Sequence, residues 1–132
     1  MPSVDIRVDT TGIPHTFIVI TDSNGLETGY GFAPAESGNL FGEGDIYDDL
    51  KHPFDTSTGP IPITDQQLQD LTAFINDSKE NPPYYSVPGE WVPPEDNHNC
   101  STWIIDAFNS AGINDVFGVS KEFSSVIPRG QW

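Results

Sequence analysis

Alternation of apolar and polar residues dominates the first third of the chain and predicts β-strands. Residues 4–8 carry valine or isoleucine at every second position, with charged residues between them, which is typical of a half-buried strand. A richer apolar run over 15–21 predicts a second strand, and residues 22–25 form a strong hairpin-turn signal. Residues 26–33 are then expected to return as the partner strand.

The returning strand has two unequal faces. Tyr30 and Phe32 lie on one face, whereas Gly29 and Gly31 lie on the other. Glycines inside a strand often mark the close approach of another backbone or of a ligand. We therefore expect a neighbouring group to lie against the glycine face.

Two later segments have the periodicity of helices. Thr64 and Gln67 form a capping-box pattern, and apolar residues follow at helical spacing until the prolines at 82 and 83. The second helix is expected to begin at Cys100 and to end at Ala111, with Gly112 as its stop signal. The pattern predicts an α+β fold, in which a small antiparallel sheet packs against the cysteine-bearing helix.

The rest of the chain predicts less regular structure. Residues 34–63 are rich in glycine, proline and acids, and only 60–63 are expected to form a short extended segment. So long an irregular stretch is usually functional or mobile. The tail around 126–130 is expected to be extended or looped. No internal repeat is visible, and residues 1–132 are predicted to form a single domain.

Charge narrows the set of partners. The chain has 20 acidic residues and 5 lysines and arginines among 132 residues, a net charge of −15. Phosphates would be repelled, which argues against binding nucleic acid, and anionic membrane surfaces are disfavoured for the same reason. A basic partner is compatible with this charge, although solubility through like-charge repulsion is the simpler account.

Cysteine and histidine usage argues against disulfides and resident metals. The single cysteine excludes an internal disulfide, and one Cys with three scattered His forms no recognisable zinc-ligand pair. The acids at 45, 48 and 49 lack the spacing of a calcium loop, so no cofactor is expected.

The first residues lack the features of a secretory signal, and no apolar run approaches the roughly 20 residues that span a bilayer. We expect cytoplasmic synthesis, with any export following another route.

The candidate chemistry lies in the pairing of Cys100 with His15. A thiol at a helix N-terminus sits among unpaired N–H groups at the positive end of the helix dipole, which favours the thiolate. His15, at the start of a rigid strand, can serve as the base if the fold brings the two together. Backbone N–H groups at the helix start would stabilise the oxyanion. The competing interpretation is that Cys100 packs as a small buried hydrophobe.

The order of these two elements carries a resemblance. With the His15 strand first and Asn99–Cys100 opening a later helix, the chain resembles the circularly permuted papain-like cysteine hydrolases, relatives of the NlpC-type cell-wall peptidases and of lecithin:retinol acyltransferase. The local match covers 15–32 and 84–112. The resemblance implies that Cys100 is the nucleophile and His15 the base. It further implies substrate or oxyanion roles for a second set of residues: Asn99, Ser101 and Tyr85.

The function that this resemblance implies is amide hydrolysis in the stem peptides of peptidoglycan. Delivery to the periplasm of a rival bacterium, as an antibacterial effector, is one plausible setting, in which a basic immunity or secretion partner would be expected. The alternatives are a cysteine-dependent acyltransferase or deamidase, and an acidic binding domain without catalysis. An accessible cleft favours the enzymes, and a buried Cys100 without a groove favours the binding domain.

The third catalytic group is where the sequence departs from the family pattern. The family position falls at Glu27, but a turn centred on 23–24 would pair Phe32 with His15 and place Tyr30 on the same face as His15. Tyr30 is therefore the predicted orienting residue, and a shift by one residue would favour Glu27. Otherwise the site works as a dyad.

The other two histidines are expected to have no catalytic part. His52 falls in the irregular stretch and is expected to be a solvated loop residue. His98 lies two positions from the thiol, but close neighbours in sequence rarely face each other, so we expect it to be a non-catalytic neighbour.

Overall fold

Seven strands and two helices are formed within the residues that the computed structural model describes, which are 1–11, 15–36, 41–86 and 98–113, without the side chains of Phe41 and Ser86. The elements, in chain order, are β1 (Ser3–Asp9), β2 (His15–Thr21), β3 (Glu27–Pro34), β4 (Phe41–Tyr47), β5 (Thr56–Ser57), β6 (Ile61–Pro62), α1 (Asp65–Glu80), β7 (Tyr84–Ser86) and α2 (Cys100–Ser110). The predicted α+β class is confirmed.

The strands form one antiparallel sheet. Its order is β5-β1-β2-β3-β4-β7, and β6 also pairs with β1, so both short strands flank the outer edge of β1. Strands β1 to β4 follow one another as a meander. This topology puts β2, which begins at His15, in the middle of the sheet, where neighbours on both sides hold its backbone.

Both helices pack on one face of the sheet and close the main core. Thr64 caps α1 through the predicted capping box with Gln67, and α2 ends at Ala111 before Gly112, which has φ of +65°. Neither of the helices in the described part of the chain is long and apolar enough to cross a membrane. The largest buried side chains of this core come from both layers: Ile6, Ile18, Phe32, Leu71, Ile75, Trp103 and Ile104.

The register of the β2–β3 hairpin differs from the prediction by one residue. Thr21 pairs with Glu27 and Phe17 pairs with Gly31, so the loop has five residues rather than a turn centred on 23–24. The Asp22 carboxylate accepts the N–H groups of Asn24 and Leu26, at 2.9 and 3.0 Å, and this side-chain cap closes the longer loop. A register change of one residue moves every side chain of the strand to the other face.

The expectation of irregular structure across 34–63 is wrong for part of that stretch. Residues 41–47 form β4, whose glycines conceal its strand character in the sequence, and Gly44 has a packing reason. A methyl group at Gly44 would overlap the Phe32 ring and lie 2.5 Å from the Pro83 carbonyl oxygen. The extended segment expected at 60–63 is present as β6. The tail around 126–130 lies outside the described residues.

Candidate functional site

The cysteine helix is held at its start by a side-chain cap. Asn99 Oδ1 accepts the N–H groups of Ser101 and Thr102, at 3.0 and 2.9 Å, and Asn99 O accepts that of Trp103, at 3.2 Å. The Thr102 hydroxyl oxygen in turn accepts the Asn99 N–H, which completes a capping box. Asn99 therefore fixes the position of Cys100, the first residue of α2. The N–H groups of Ser101 and Thr102 are therefore already bonded to the Asn99 side chain.

Ser101 and Thr16 tie the helix start to the central strand. The Ser101 hydroxyl donates to Thr16 Oγ1 at 3.3 Å, and both side chains are buried. The Thr16 backbone N–H also donates a hydrogen bond to the Cys100 sulfur. Because Thr16 follows His15 directly in β2, these contacts bring Cys100 to the end of the strand that carries the imidazole.

The imidazole of His15 lies between a thiol and a carboxylate. His15 hydrogen-bonds with the Cys100 side chain, so the predicted proximity of these two groups is present. On its other side, His15 Nε2 lies 2.7 Å from Asp49 Oδ2. A carboxylate only accepts, so Nε2 carries the proton and Nδ1 is left as the nitrogen that faces the sulfur. The arrangement Cys100–His15–Asp49 has the order of a nucleophile, a base and an orienting group.

The electrostatics favour a thiolate and an imidazolium. Burial lowers the pKa of His15, but the hydrogen bonds to Asp49 and to Cys100 and the charges of both outweigh it and raise this pKa to about 9. Burial raises the pKa of Cys100, yet the hydrogen bond and charge of His15 outweigh it, with help from the Thr16 N–H, and the net shift is downward. The two groups therefore share one proton, held on the imidazole.

Two glycines of β3 admit the segment that carries Asp49. A methyl group at Gly29 would overlap the backbone of Leu50, and one at Gly31 would overlap Asp49 Oδ2 and lie 2.9 Å from His15 Nε2. The Asp49 N–H also donates to Gly29 O, at 3.4 Å. The expected close approach at the glycine face is confirmed. Only residues without a side chain let the turn after β4 lie flat on β3 and reach His15.

Asp49 is the site residue that sequence reasoning missed. It was visible only as one of several acids in the stretch 34–63, and the candidates were Tyr30 and Glu27 instead. The glycine pair was the available signal, because it marked where another segment must cross. The sequence did not indicate which segment crosses the glycine pair.

Tyr30 does not face His15. In the observed register it pairs with Ile18, and its side chain packs against the core on the helix face, with the Lys79 ammonium 4.9 Å from its ring centroid. Glu27 shares the face of Gly31 but lies four residues away along the strand, about 13 Å. The predicted orientation of Tyr30 toward the imidazole is wrong, because the hairpin loop is one residue longer than expected.

Tyr85, which the resemblance placed at the oxyanion site, lies close enough to the thiol to sense its charge. Its side chain is buried in β7 beside Phe32, with ring centroids 5.8 Å apart. Burial, and then the negative charge of Cys100, raise the pKa of Tyr85 to about 12. The hydroxyl therefore stays protonated and is a hydrogen-bond donor.

The other two histidines have separate carboxylate partners. His98 Nδ1 lies 3.1 Å from Thr102 Oγ1 and its Nε2 lies 3.1 Å from Asp106 Oδ2, so it braces the outside of α2. His52 is half-buried, with Nε2 3.1 Å from Asp9 Oδ2 and its ring against that of His15. His52 lies in a loop, as expected, but its side chain is 33% exposed and bonded to Asp9, so it is not fully solvated.

Solvent access to the Cys100 sulfur is restricted. Cys100 is 2% exposed, while the His15 side chain is 18% exposed. A reagent or substrate must therefore reach the sulfur by displacing the atoms that cover it. Within the described ranges, no three His, Cys, Asp or Glu side chains are grouped as ligands for a metal ion.

Comparison of the chain with family models, with curated proteins and with solved structures found no match. The site is therefore interpreted from its own geometry.

The lowered thiol pKa predicts the pH profile of alkylation. Iodoacetamide should modify Cys100 with a midpoint below that of an ordinary free thiol, although burial slows the absolute rate. His15→Ala removes the hydrogen bond and charge that lower this pKa and leaves burial to raise it, so the midpoint should move to higher pH. Mass spectrometry of protein quenched at each pH measures both profiles. His98→Ala serves as the control, and identical profiles for the unaltered and His15→Ala proteins would contradict the ion pair.

Proposed function

We propose that this protein is a cysteine hydrolase that cleaves amide bonds with Cys100, His15 and Asp49. The observation that carries the proposal is the position of the His15 imidazole, which hydrogen-bonds the Cys100 side chain and lies 2.7 Å from Asp49. A buried hydrophobic cysteine has no need of either partner. Groups that hold a thiol as thiolate, and that fix the ring beside it, are the requirements of nucleophilic catalysis.

The proposed reaction is acyl transfer to water in two steps. The Cys100 thiolate attacks the amide carbonyl, and protonated His15 gives its proton to the nitrogen as the C–N bond breaks, which releases the amine and leaves a thioester. Neutral His15 then takes a proton from water, and the resulting hydroxide attacks the thioester. The C–S bond breaks, the acid leaves, and thiolate and imidazolium are restored. Asp49 keeps the ring in the required orientation throughout.

Tyr85 is the proposed donor to the oxyanion. The N–H groups of Ser101, Thr102 and Trp103 are bound by Asn99 and are unsuited to that task. The Tyr85 hydroxyl is within electrostatic range of Cys100 and keeps its proton up to about pH 12. A fixed neutral donor near the sulfur would stabilise the negative oxygen that develops there.

The proposed substrates are the stem peptides of peptidoglycan, and the proposed setting is an antibacterial effector with a basic immunity or secretion partner. The resemblance to permuted papain-like hydrolases supports this choice, and the net charge of −15 supports the basic partner.

An acyltransferase or a deamidase would use the same thiolate chemistry with a different acceptor or amide. The 2% exposure of Cys100 favours the second candidate, an acidic binding domain.

Release of amines from purified peptidoglycan tests the proposal. Protein incubated with sacculi should generate new free amino groups and soluble peptides, identified by mass spectrometry. Protein alkylated stoichiometrically at Cys100 should release none, because the sulfur can no longer form the thioester. Equal release by alkylated and unmodified protein, or release by neither under any tested pH, would contradict the proposed function.

A further inference from the structure

His52 touches both partners of the proposed Cys100 site. Its ring centroid lies 5.0 Å from that of His15, with the rings edge to face at 62°, and its backbone N–H donates to Asp49 O at 2.9 Å. One residue thus contacts the imidazole through its ring and the backbone of Asp49 through its own N–H group. These two groups otherwise come from separate elements, β2 and the turn after β4.

The ring of His52 is itself fixed. Its Nε2 lies 3.1 Å from Asp9 Oδ2, and since a carboxylate only accepts, Nε2 carries the proton. Asp9 is held in turn, because its Oδ1 accepts the Thr11 N–H at 2.9 Å. Phe17 completes the packing: its ring lies 5.2 Å from that of His52 at 68° and 5.8 Å from that of His15, nearly parallel at 18°. The His15 ring therefore has aromatic neighbours on two sides.

We infer that His52 is a positioning residue, whose ring holds the His15 imidazole in the orientation that hydrogen-bonds the Cys100 side chain. This inference rests on the proposed function, because it assigns a role within that site. Of the charged and titratable groups that the described residues place around the two rings, Asp9 comes from β1 and Cys100 from α2, and Asp49 lies in the same turn as His52. Loss of the ring would let the imidazole turn within its pocket and weaken its bond to the sulfur.

The pH profile of Cys100 alkylation separates positioning from general stability. His52→Ala should raise the midpoint by about one pH unit, so that alkylation on the rising limb is about tenfold slower. His52→Gln keeps a donor for Asp9 but lacks the ring, and it should raise the alkylation midpoint by a similar amount. If the alanine variant does not fold, the glutamine variant provides the test. Phe54→Ala is the matched control, since Phe54 packs on Phe17 at 6.4 Å and is 45% exposed. Its profile should be unchanged.

The outcomes distinguish this inference from the proposal beneath it. One outcome is a low midpoint in the unaltered protein that is unchanged in both folded His52 variants. That result overturns the positioning role alone. An ordinary thiol profile in the unaltered protein overturns the ion pair and the positioning role together. A low midpoint that His52→Gln raises, in a protein that releases no amines from sacculi, supports the positioning role and overturns the hydrolase.

Discussion

Replacing Cys100 with serine should reduce amine release from purified peptidoglycan by at least about a thousandfold. The sulfur is the atom that forms the thioester, and a serine hydroxyl, unlike the Cys100 thiol, does not give up its proton to His15 before the attack. Folding should change little, because serine and alanine are close to cysteine in volume and Ser101, Thr16 and Asn99 still hold the helix start. Amine release measured on matched amounts of folded protein gives the result.

The alanine variant separates catalysis from binding. Cys100→Ala removes every possible nucleophile at this position, and far-UV circular dichroism with urea unfolding checks that the fold persists. If the alanine variant keeps the full biological effect of the unaltered protein, the hydrolase proposal fails. Toxicity without the thiol would mean that the acidic surface acts by binding.

Replacing Asp49 with asparagine should lower the rate of hydrolysis by up to about 10⁴-fold, the loss found when a carboxylate that orients a catalytic histidine becomes an amide. The amide keeps the shape of the side chain but removes the charge that Nε2–H of His15 binds at 2.7 Å. The bond to Asp49 is a main cause of the raised His15 pKa, about 9 in this protein. Without it the imidazolium loses its proton at lower pH, and the alkaline limb of the pH–activity profile should move to lower pH.

A neighbouring acid provides the control for this change. Asp48→Asn alters the residue directly before Asp49 and keeps the Oδ1 that accepts the Leu50 N–H, at 3.1 Å. It should leave both the rate and the pH limits close to those of the unaltered protein. Equal defects in the two variants would show that the turn needs its charges for folding and that Asp49 has no special relation to His15.

The amino-acid pattern alone was sufficient to predict the two elements that carry His15 and Cys100. An apolar run predicted the strand beginning at His15, and helical spacing with the Gly112 stop signal predicted the helix beginning at Cys100. Those signals are local, since they depend on side chains a few residues apart. Strand β4 was missed because its glycines weaken the strand pattern, and Gly44 is required by its contacts with Phe32 and the Pro83 carbonyl, which lie in distant segments.

The third member of the site was decided by tertiary structure. The Asp22 cap lengthens the hairpin loop by one residue, and this turns Tyr30 to the helix face and Gly31 to the histidine face. The missing side chains at Gly29 and Gly31 then admit the turn that brings Asp49 to His15 across 34 positions of sequence.

The sequence by itself determined which residues could be nucleophile and base, because a helix N-terminus and a strand end are local features. Only the packed structure decided that they meet, that the thiol is buried, and that Asp49 rather than Tyr30 hydrogen-bonds with His15. The physical reason is that these properties depend on register and on the crossing of distant segments. A shift of one residue in a loop is invisible to side-chain pattern, yet it reverses both faces of a strand.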